Sequence, residues 1–131
     1  MPSTVTLAVD LPAPPGRLYS MYLSPKTHAA ITGAPVRIAA RPGAAFRAFG
    51  GALIGTILQV VPQRLIVQSW RSTEFARSDL DSTLILAFSK RGKAGRIELT
   101  HVNIAEHDFA GVSEGWWTYY FNPWREYLKR R

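Results

Sequence analysis

The side chains best suited to chemistry in this sequence are a histidine and an asparagine near the end of one predicted strand. His101 and Asn103 lie two residues apart within the segment 96–104. Alternation along a strand puts them on the same face as Ile97 and Leu99, turned towards the protein interior. Two interpretations follow. The pair lines a pocket as an acid/base or a ligand anchor, or His101 is a core residue bonded to a tyrosine hydroxyl or to backbone.

Other chemistry finds no support in the residue pattern. His28, His101 and His107 lack metal-ligand spacing, and the adjacent residues 106–108 point in different directions, so they cannot chelate together. The glycines match no phosphate-binding motif, and no serine stands in a nucleophile elbow. The absence of cysteine excludes disulfides and thiolate sites. We therefore predict no catalytic residue, no metal and no cofactor.

The aromatic residues concentrate in the last segment, 111–131, which contains three of the four tryptophans. Helical rotation brings its large apolar residues onto one arc: Trp116, Trp117, Tyr120, Phe121, Trp124, Tyr127 and Leu128. This pattern predicts an amphipathic helix over at least 115–128, with Ser113 or Asp108 as candidate caps. Pro123 lies inside it and should interrupt the regular hydrogen bonding.

Such a face either fills a core or leaves gaps, because large rings pack awkwardly and their N–H and O–H groups need partners. Walls of this kind suit an apolar cavity with a few polar anchors. We predict that the helix contributes three ligand-binding residues and the sheet another three, namely Trp117, Tyr120 and Trp124 facing Trp70, Phe88 and His101.

The remaining elements read as strands and two short helices. Alternation predicts strands at 4–10, 36–39, 45–49, 53–61, 65–70, 83–88 and 96–104, and helical spacing predicts helices at 16–23 and 25–32. Ser24 and Gly33 bound the second helix as N-cap and C-terminal glycine. The order indicates a single α+β domain over 1–131, with a curved antiparallel sheet of six to seven strands around the C-terminal helix.

The charge is strongly basic, +7 with 16 Lys and Arg. These residues are dispersed and lack the interleaved aromatics of single-strand binders, so we expect a solvated surface and no specific nucleic acid. The sequence has no secretory signal pattern and no apolar run long enough to span a membrane. Together with the lack of cysteine, this favours a cytoplasmic protein.

Four segments resemble one family. PGAAFRAFGGALIGTILQVVPQRLIVQSWR (42–71) resembles the signature of homologues of the activator of heat-shock-protein-90 ATPase. GWWTYYF (115–121) is similar to the start of the family's last helix, and DSTLILAFS and GRIELTHVN fill the strands between. The resemblance covers about 18–128 and implies the SRPBCC, or START-like, helix-grip fold, in which a curved sheet grips a C-terminal helix.

The resemblance also sets the functional alternatives. We expect non-enzymatic binding of an apolar or aromatic small molecule between sheet and helix, by a monomer or homodimer. A chaperone-associated interaction module is the alternative, although eukaryotic activators carry a further N-terminal domain and this sequence begins at its first strand. A cyclase- or hydrolase-type enzyme of the superfamily is the third reading.

Overall fold

The computed structural model describes residues 2–130, and these form seven strands and a set of helices. The strands are β1 (Ser3–Leu11), β2 (Val36–Arg37), β3 (Ala45–Ala48), β4 (Leu53–Val61), β5 (Leu65–Ser72), β6 (Ser82–Arg91) and β7 (Ala94–Ile104). The helices are α1 (Pro15–Leu23), α2 (Pro25–Thr32), α3 (Phe109–Gly115) and α4 (Asn122–Lys129). A π-helical segment (Trp116–Phe121) joins α3 to α4 without a break.

All seven strands form one antiparallel sheet in the order β1-β7-β6-β5-β4-β3-β2. Except for the placement of β1 beside β7, neighbours in the sheet are neighbours in sequence, as hairpin connections require. The curved sheet holds the C-terminal helix against one face, and the two short helices complete that layer. The predicted α+β helix-grip fold is confirmed.

Local sequence signals explain most element ends. The hydroxyl of Ser24 accepts a hydrogen bond from the backbone N–H of Thr27 at 3.3 Å, and Gly33 ends α2 in the left-handed conformation, with φ 82°. The predicted strand 53–61 has the same bounds as β4. The last hairpin is longer than expected, because β6 and β7 continue to Arg91 and Ala94 across a tight turn.

The alternation of inward and outward side chains along β7 is interrupted near its end. Asn103, the second residue of the predicted polar pair, therefore does not face the interior as predicted. His101 is fully buried as expected, but Asn103 is only half-buried and the next residue, Ile104, takes the inward position. Val5 pairs with His101 whereas Ser3 pairs with Ile104, so β7 holds one extra residue there. Asn103 occupies this bulge with φ 64°, a conformation that asparagine tolerates, and the bulge reverses the alternation.

The C-terminal helix has the predicted position and apolar face, and its irregularity precedes Pro123. Asn122 donates its backbone N–H to the carbonyl of Trp117, five residues earlier, and α4 then begins with Pro123 in its first turn. A proline ring clashes with the carbonyl four residues before it, here that of Tyr119, and a π-helical turn relieves the clash. Asp108 occupies the N-cap position of α3, but its side chain makes no capping hydrogen bond.

The second half of this helix covers a filled core. Trp124 and Phe121 are each 1% exposed, and Leu128 is also buried. On the sheet side, the residues that alternate inward are buried in the same cluster, among them Leu84, Leu86, Ile97 and Leu99. The space beneath Trp124 is therefore occupied by side chains, and any cavity must lie elsewhere along the helix.

Candidate functional site

A pocket of about 400 Å³ lies at the other end of the helix, where α3 and the π-helical segment pass over the ends of β4 and β5. Its walls are five aromatic side chains, Phe49, Trp70, Trp116, Tyr119 and Tyr120. Trp70, Trp116 and Tyr120 are buried, whereas Tyr119 is 56% exposed and stands at the mouth. Pockets of this size and lining are typical of small-molecule sites.

Small residues create the space. Gly111 and Gly115 are four residues apart and so lie on the same side of α3, and Ala52 lines the pocket from the start of β4. A methyl group placed on Gly115 would meet only the Tyr119 ring at 3.6 Å, an ordinary contact. The pocket therefore borders helix positions that carry no side chain.

Phe49 reaches the pocket through an unusual backbone conformation. Its φ is 52°, and Gly50 and Gly51 follow it with φ 65° and 94°. A positive φ is rare for a bulky residue and persists only where the surroundings enforce it, a situation that clusters at binding sites. The turn places the Phe49 ring edge-on to Tyr119 at 5.7 Å and to Tyr120 at 6.4 Å.

His101 lies behind the Trp116 wall and ties the helix to the sheet. The Nε1–H of Trp116 donates to Nδ1 of His101 at 3.2 Å, so Nε2 carries the imidazole hydrogen. That nitrogen donates to the Ser82 hydroxyl at 2.8 Å, and the hydroxyl donates to the carbonyl of Trp70 at 2.7 Å. Burial lowers the pKa of His101 to about 3, which keeps it neutral at physiological pH. His101 is a core residue, but its partners are Trp116 and Ser82 rather than tyrosine or backbone.

A second buried histidine holds Tyr120 in the same way. Nδ1 of His28 donates to the carbonyl of Tyr22 at 2.7 Å, which leaves Nε2 as the acceptor for the Tyr120 hydroxyl at 2.8 Å. Burial lowers the pKa of His28 to about 4 and raises that of Tyr120. Tyr22 in turn donates to the Oε1 of Gln68. The indole N–H of Trp116 and the hydroxyl of Tyr120 are thus bonded to groups outside the pocket, whereas the rings of both residues line it.

The rim of the pocket is polar and is held by Arg71. Its guanidinium donates to the carbonyls of Asp79 and Ala76 at 2.7 and 2.8 Å, and pairs with the Asp81 carboxylate at 3.1 Å. It also lies 5.6 Å from the centre of the Phe75 ring. These contacts order the loop between β5 and β6, for which the sequence shows no periodicity. The end of β5 and the start of this loop bring Ser72, Thr73 and Glu74 to the pocket, which Asp108 also lines.

Asp108 is the second carboxylate of the rim and is half-buried. Partial burial raises its pKa above the ordinary value, the nearby His107 acts against this shift, and the charges of Glu74 and Asp79 add to it. The carboxylate therefore lies partly out of water beside other negative charges. Among the described residues that line the pocket, Glu74 and Asp108 are the charged ones.

Of the six predicted ligand-binding residues, Trp70 and Tyr120 line this pocket. His101 supports its wall through Trp116 without lining it. The indole N–H groups of Trp70 and Trp124 are buried and have no hydrogen-bond partner within residues 2–130.

The other three predicted residues lie away from the pocket. Phe88 is buried edge-on against Tyr19 of α1 at 5.8 Å. Trp117 is half-buried against Phe121 at 5.2 Å, and Trp124 is enclosed in the core. The middle of the apolar arc thus faces the filled core, because the pocket requires small residues on the helix and these occur only near its start.

Several pocket residues were not predicted. Trp116 lies on the apolar arc, and the Gly111–Gly115 spacing was the available signal for a gap beside it. Gln68 accepts from the Tyr22 hydroxyl without lining the pocket, and it was also missed. It alternates with Ile66 and Trp70 along β5, which marks it as inward-facing. Phe49 carried no such signal, since its position depends on the turn that follows it.

Within residues 2–130, no group of three or more histidine and acidic side chains is placed to hold a metal ion. Nor does any helix in that range combine the length and apolar character needed to cross a bilayer.

The fold and the pocket define a helix-grip protein of the START-like class. The chain belongs to the family described as Activator of Hsp90 ATPase homolog 1-like protein, which it matches over residues 12–129. The resemblance of the sequence to this family is confirmed.

Individual relatives are distant. The uncharacterized protein C1711.08 of Schizosaccharomyces pombe is 39% identical over 59 residues, which are 45% of this chain and 18% of that protein. The chain thus spans less than a fifth of that relative's length. Protein MLL2253 from Mesorhizobium loti has a TM-score of 0.85 at 18% identity, over 98% of both chains. The HSP90 activator PFC0360w from Plasmodium falciparum has a TM-score of 0.78 at 20% identity, over 91% of this chain and 90% of that one. At these identities the likeness concerns the fold alone.

Proposed function

We propose that this protein binds an apolar or aromatic small molecule, without transforming it, in the pocket between α3 and the ends of β4 and β5. The observation that carries the proposal is the aromatic enclosure of about 400 Å³. A core formed only for stability would be filled, as it is beneath Trp124, since voids forfeit dispersion contacts. The strained Phe49 and the paired glycines of α3 support the same reading.

The walls favour binding over catalysis. The imidazoles of His28 and His101 are buried, neutral and already bonded on both nitrogens, so neither is available as an acid or base. The pocket instead offers ring faces, which recognise flat apolar molecules by stacking.

A neutral aromatic probe, N-phenyl-1-naphthylamine, tests the proposal. We expect micromolar binding that changes tryptophan fluorescence through Trp70 and Trp116. Gly115→Leu should abolish it, because the new side chain occupies the pocket and its first carbon meets no backbone within 4 Å. Thr118→Leu, on the exposed side of the same helix, is the matched control and should bind as the parent does. Equal binding by both variants would place the probe elsewhere, and absence of binding to the parent would refute the proposal.

A second candidate is a chaperone-associated interaction module, which family membership and the +7 charge favour. The surface would then act on an acidic protein partner through dispersed basic residues. Stimulation of the ATPase of a purified heat-shock-protein-90 chaperone tests it. Stimulation that survives Gly115→Leu would assign this activity to the surface rather than to the pocket.

A further inference from the structure

The pocket presents aromatic ring faces at its inner end and negatively charged groups at its rim. At its inner end, the indole N–H of Trp116 and the hydroxyl of Tyr120 are donated to His101 and His28, so these walls present ring faces. At the rim, the charged groups are the carboxylates of Glu74 and Asp108. A ligand therefore meets aromatic faces at one end and negative charge at the other.

This negative rim contrasts with the protein as a whole. The chain carries a net charge of +7, yet no lysine, arginine or histidine lines the pocket among residues 2–130. Arg71, which organises the neighbouring loop, is bonded to loop carbonyls and paired with Asp81. The charged side chains that line the pocket are thus opposite in sign to the net charge of the chain.

Asp108 supplies an independent reason for a cation there. Its carboxylate is half-buried at the start of α3 without a capping hydrogen bond to that helix. Partial burial raises its pKa, the adjacent His107 opposes this shift, and Glu74 and Asp79 add to it. A positive group beside it would stabilise the ionised form, which burial and its acidic neighbours disfavour.

We infer that the pocket selects aromatic ligands bearing a positive charge, an arylammonium class, with the ring among Trp70, Trp116 and Tyr120 and the charged head between Glu74 and Asp108. Aromatic faces and carboxylates both attract such a head, since a ring presents negative charge at its face. Tyr119 and Phe49 stand beside the mouth and complete the enclosure. This inference rests on the proposed binding function and specifies its ligand class.

Three probes of similar size and shape isolate the effect of ligand charge on binding. Phenyltrimethylammonium and tert-butylbenzene differ only in a cationic nitrogen against a carbon, and benzenesulfonate carries the opposite charge. Binding is followed from the indole N–H resonances of Trp70 and Trp116 in the full chain. We expect the cation to bind about tenfold more tightly than tert-butylbenzene, and the anion more weakly still. Raising the salt to about 150 mM should reduce the preference, because the rim is open to solvent.

Charge-neutral variants test the assignment. Glu74→Gln with Asp108→Asn should weaken binding of the cation to the level of tert-butylbenzene, so that the preference is lost. Glu98→Gln with Glu126→Gln changes the net charge equally on exposed positions away from the pocket, and should keep the preference.

The outcomes separate the inference from the proposed function. If tert-butylbenzene binds as well as the cation, or benzenesulfonate binds best, the inference is overturned while the binding function stands. If the control pair loses the preference as fully as the rim pair, the rim carboxylates are not its source and the inference is again overturned. If no probe binds the parent chain, both fail.

Discussion

The indole N–H of Trp116 donates to Nδ1 of His101 at 3.2 Å, and this bond joins the C-terminal helix to strand β7 of the sheet. Tyr120, four residues later on the same side of the helix, makes a matching bond of 2.8 Å to His28. Each bond satisfies a buried donor and a buried acceptor, and each fixes one wall of the pocket. Pocket shape and stability therefore depend on the same two histidines.

Replacing His101 should destabilise the fold. In His101→Gln the donor of Trp116 and the hydroxyl of Ser82 lose a partner placed for both, which costs about 1–3 kcal/mol in the free energy of unfolding. Urea denaturation measures this loss. The exposed His107→Gln is the control and should change little. Equal stability of the two variants would contradict a stabilising role for the hydrogen bonds of His101 to Trp116 and Ser82.

Tyr120→Phe should separate stability from binding. Loss of the hydroxyl leaves Nε2 of His28 buried without a donor, which costs about 1–3 kcal/mol in unfolding free energy. The ring remains in the wall, so binding of N-phenyl-1-naphthylamine should persist. Tyr119→Phe removes an exposed hydroxyl and should leave stability near that of the parent. A loss of binding equal to that of Gly115→Leu would show that the hydroxyl, not the ring, matters.

Stability should decrease as the pH falls below about 6.5. The folded pKa values of His28 and His101 are about 4 and about 3, below the ordinary 6.5, so the unfolded chain binds protons that the folded chain does not. Their neutral forms contribute full stability above about 6.5, and each loses up to about 1.4 kcal/mol per pH unit as the pH falls towards its folded pKa. Urea titrations between about pH 7 and 5 measure the slope, which His101→Gln should reduce by about half. An unchanged slope in that variant would rule out the His101 contribution.

Gly55→Ala should destabilise the sheet beside the pocket. A methyl group at this position in β4 would lie 1.9 Å from the backbone carbonyl of Ser69, so β5 and the adjacent Trp70 must shift. Overpacking of this kind costs about 1–3 kcal/mol. Gly115→Ala is the matched control, because its methyl group fits and alanine favours a helix by about 1 kcal/mol over glycine. Thermal unfolding should move the two variants in opposite directions, and a shift in the same direction would refute the contrast.

The sequence by itself determined the secondary-structure elements and, for most of their side chains, whether they face the interior or the solvent. The bounds of β4, the caps of α2 and the buried position of His101 follow from short-range rules, namely strand alternation, capping chemistry and helical periodicity. The family signature then fixed the order in which these elements pack.

Only the tertiary structure decided where the pocket lies and what lines it. The pattern marked Trp117 and Trp124 as well as Tyr120, yet the gap forms near Gly115, because α3 crosses the sheet ends there with no side chains to fill the space. One extra residue in β7 turned Asn103 away from the core. Strand register, bulges and the crossing point of a helix depend on contacts between residues far apart in the chain, and no local pattern of residues encodes them.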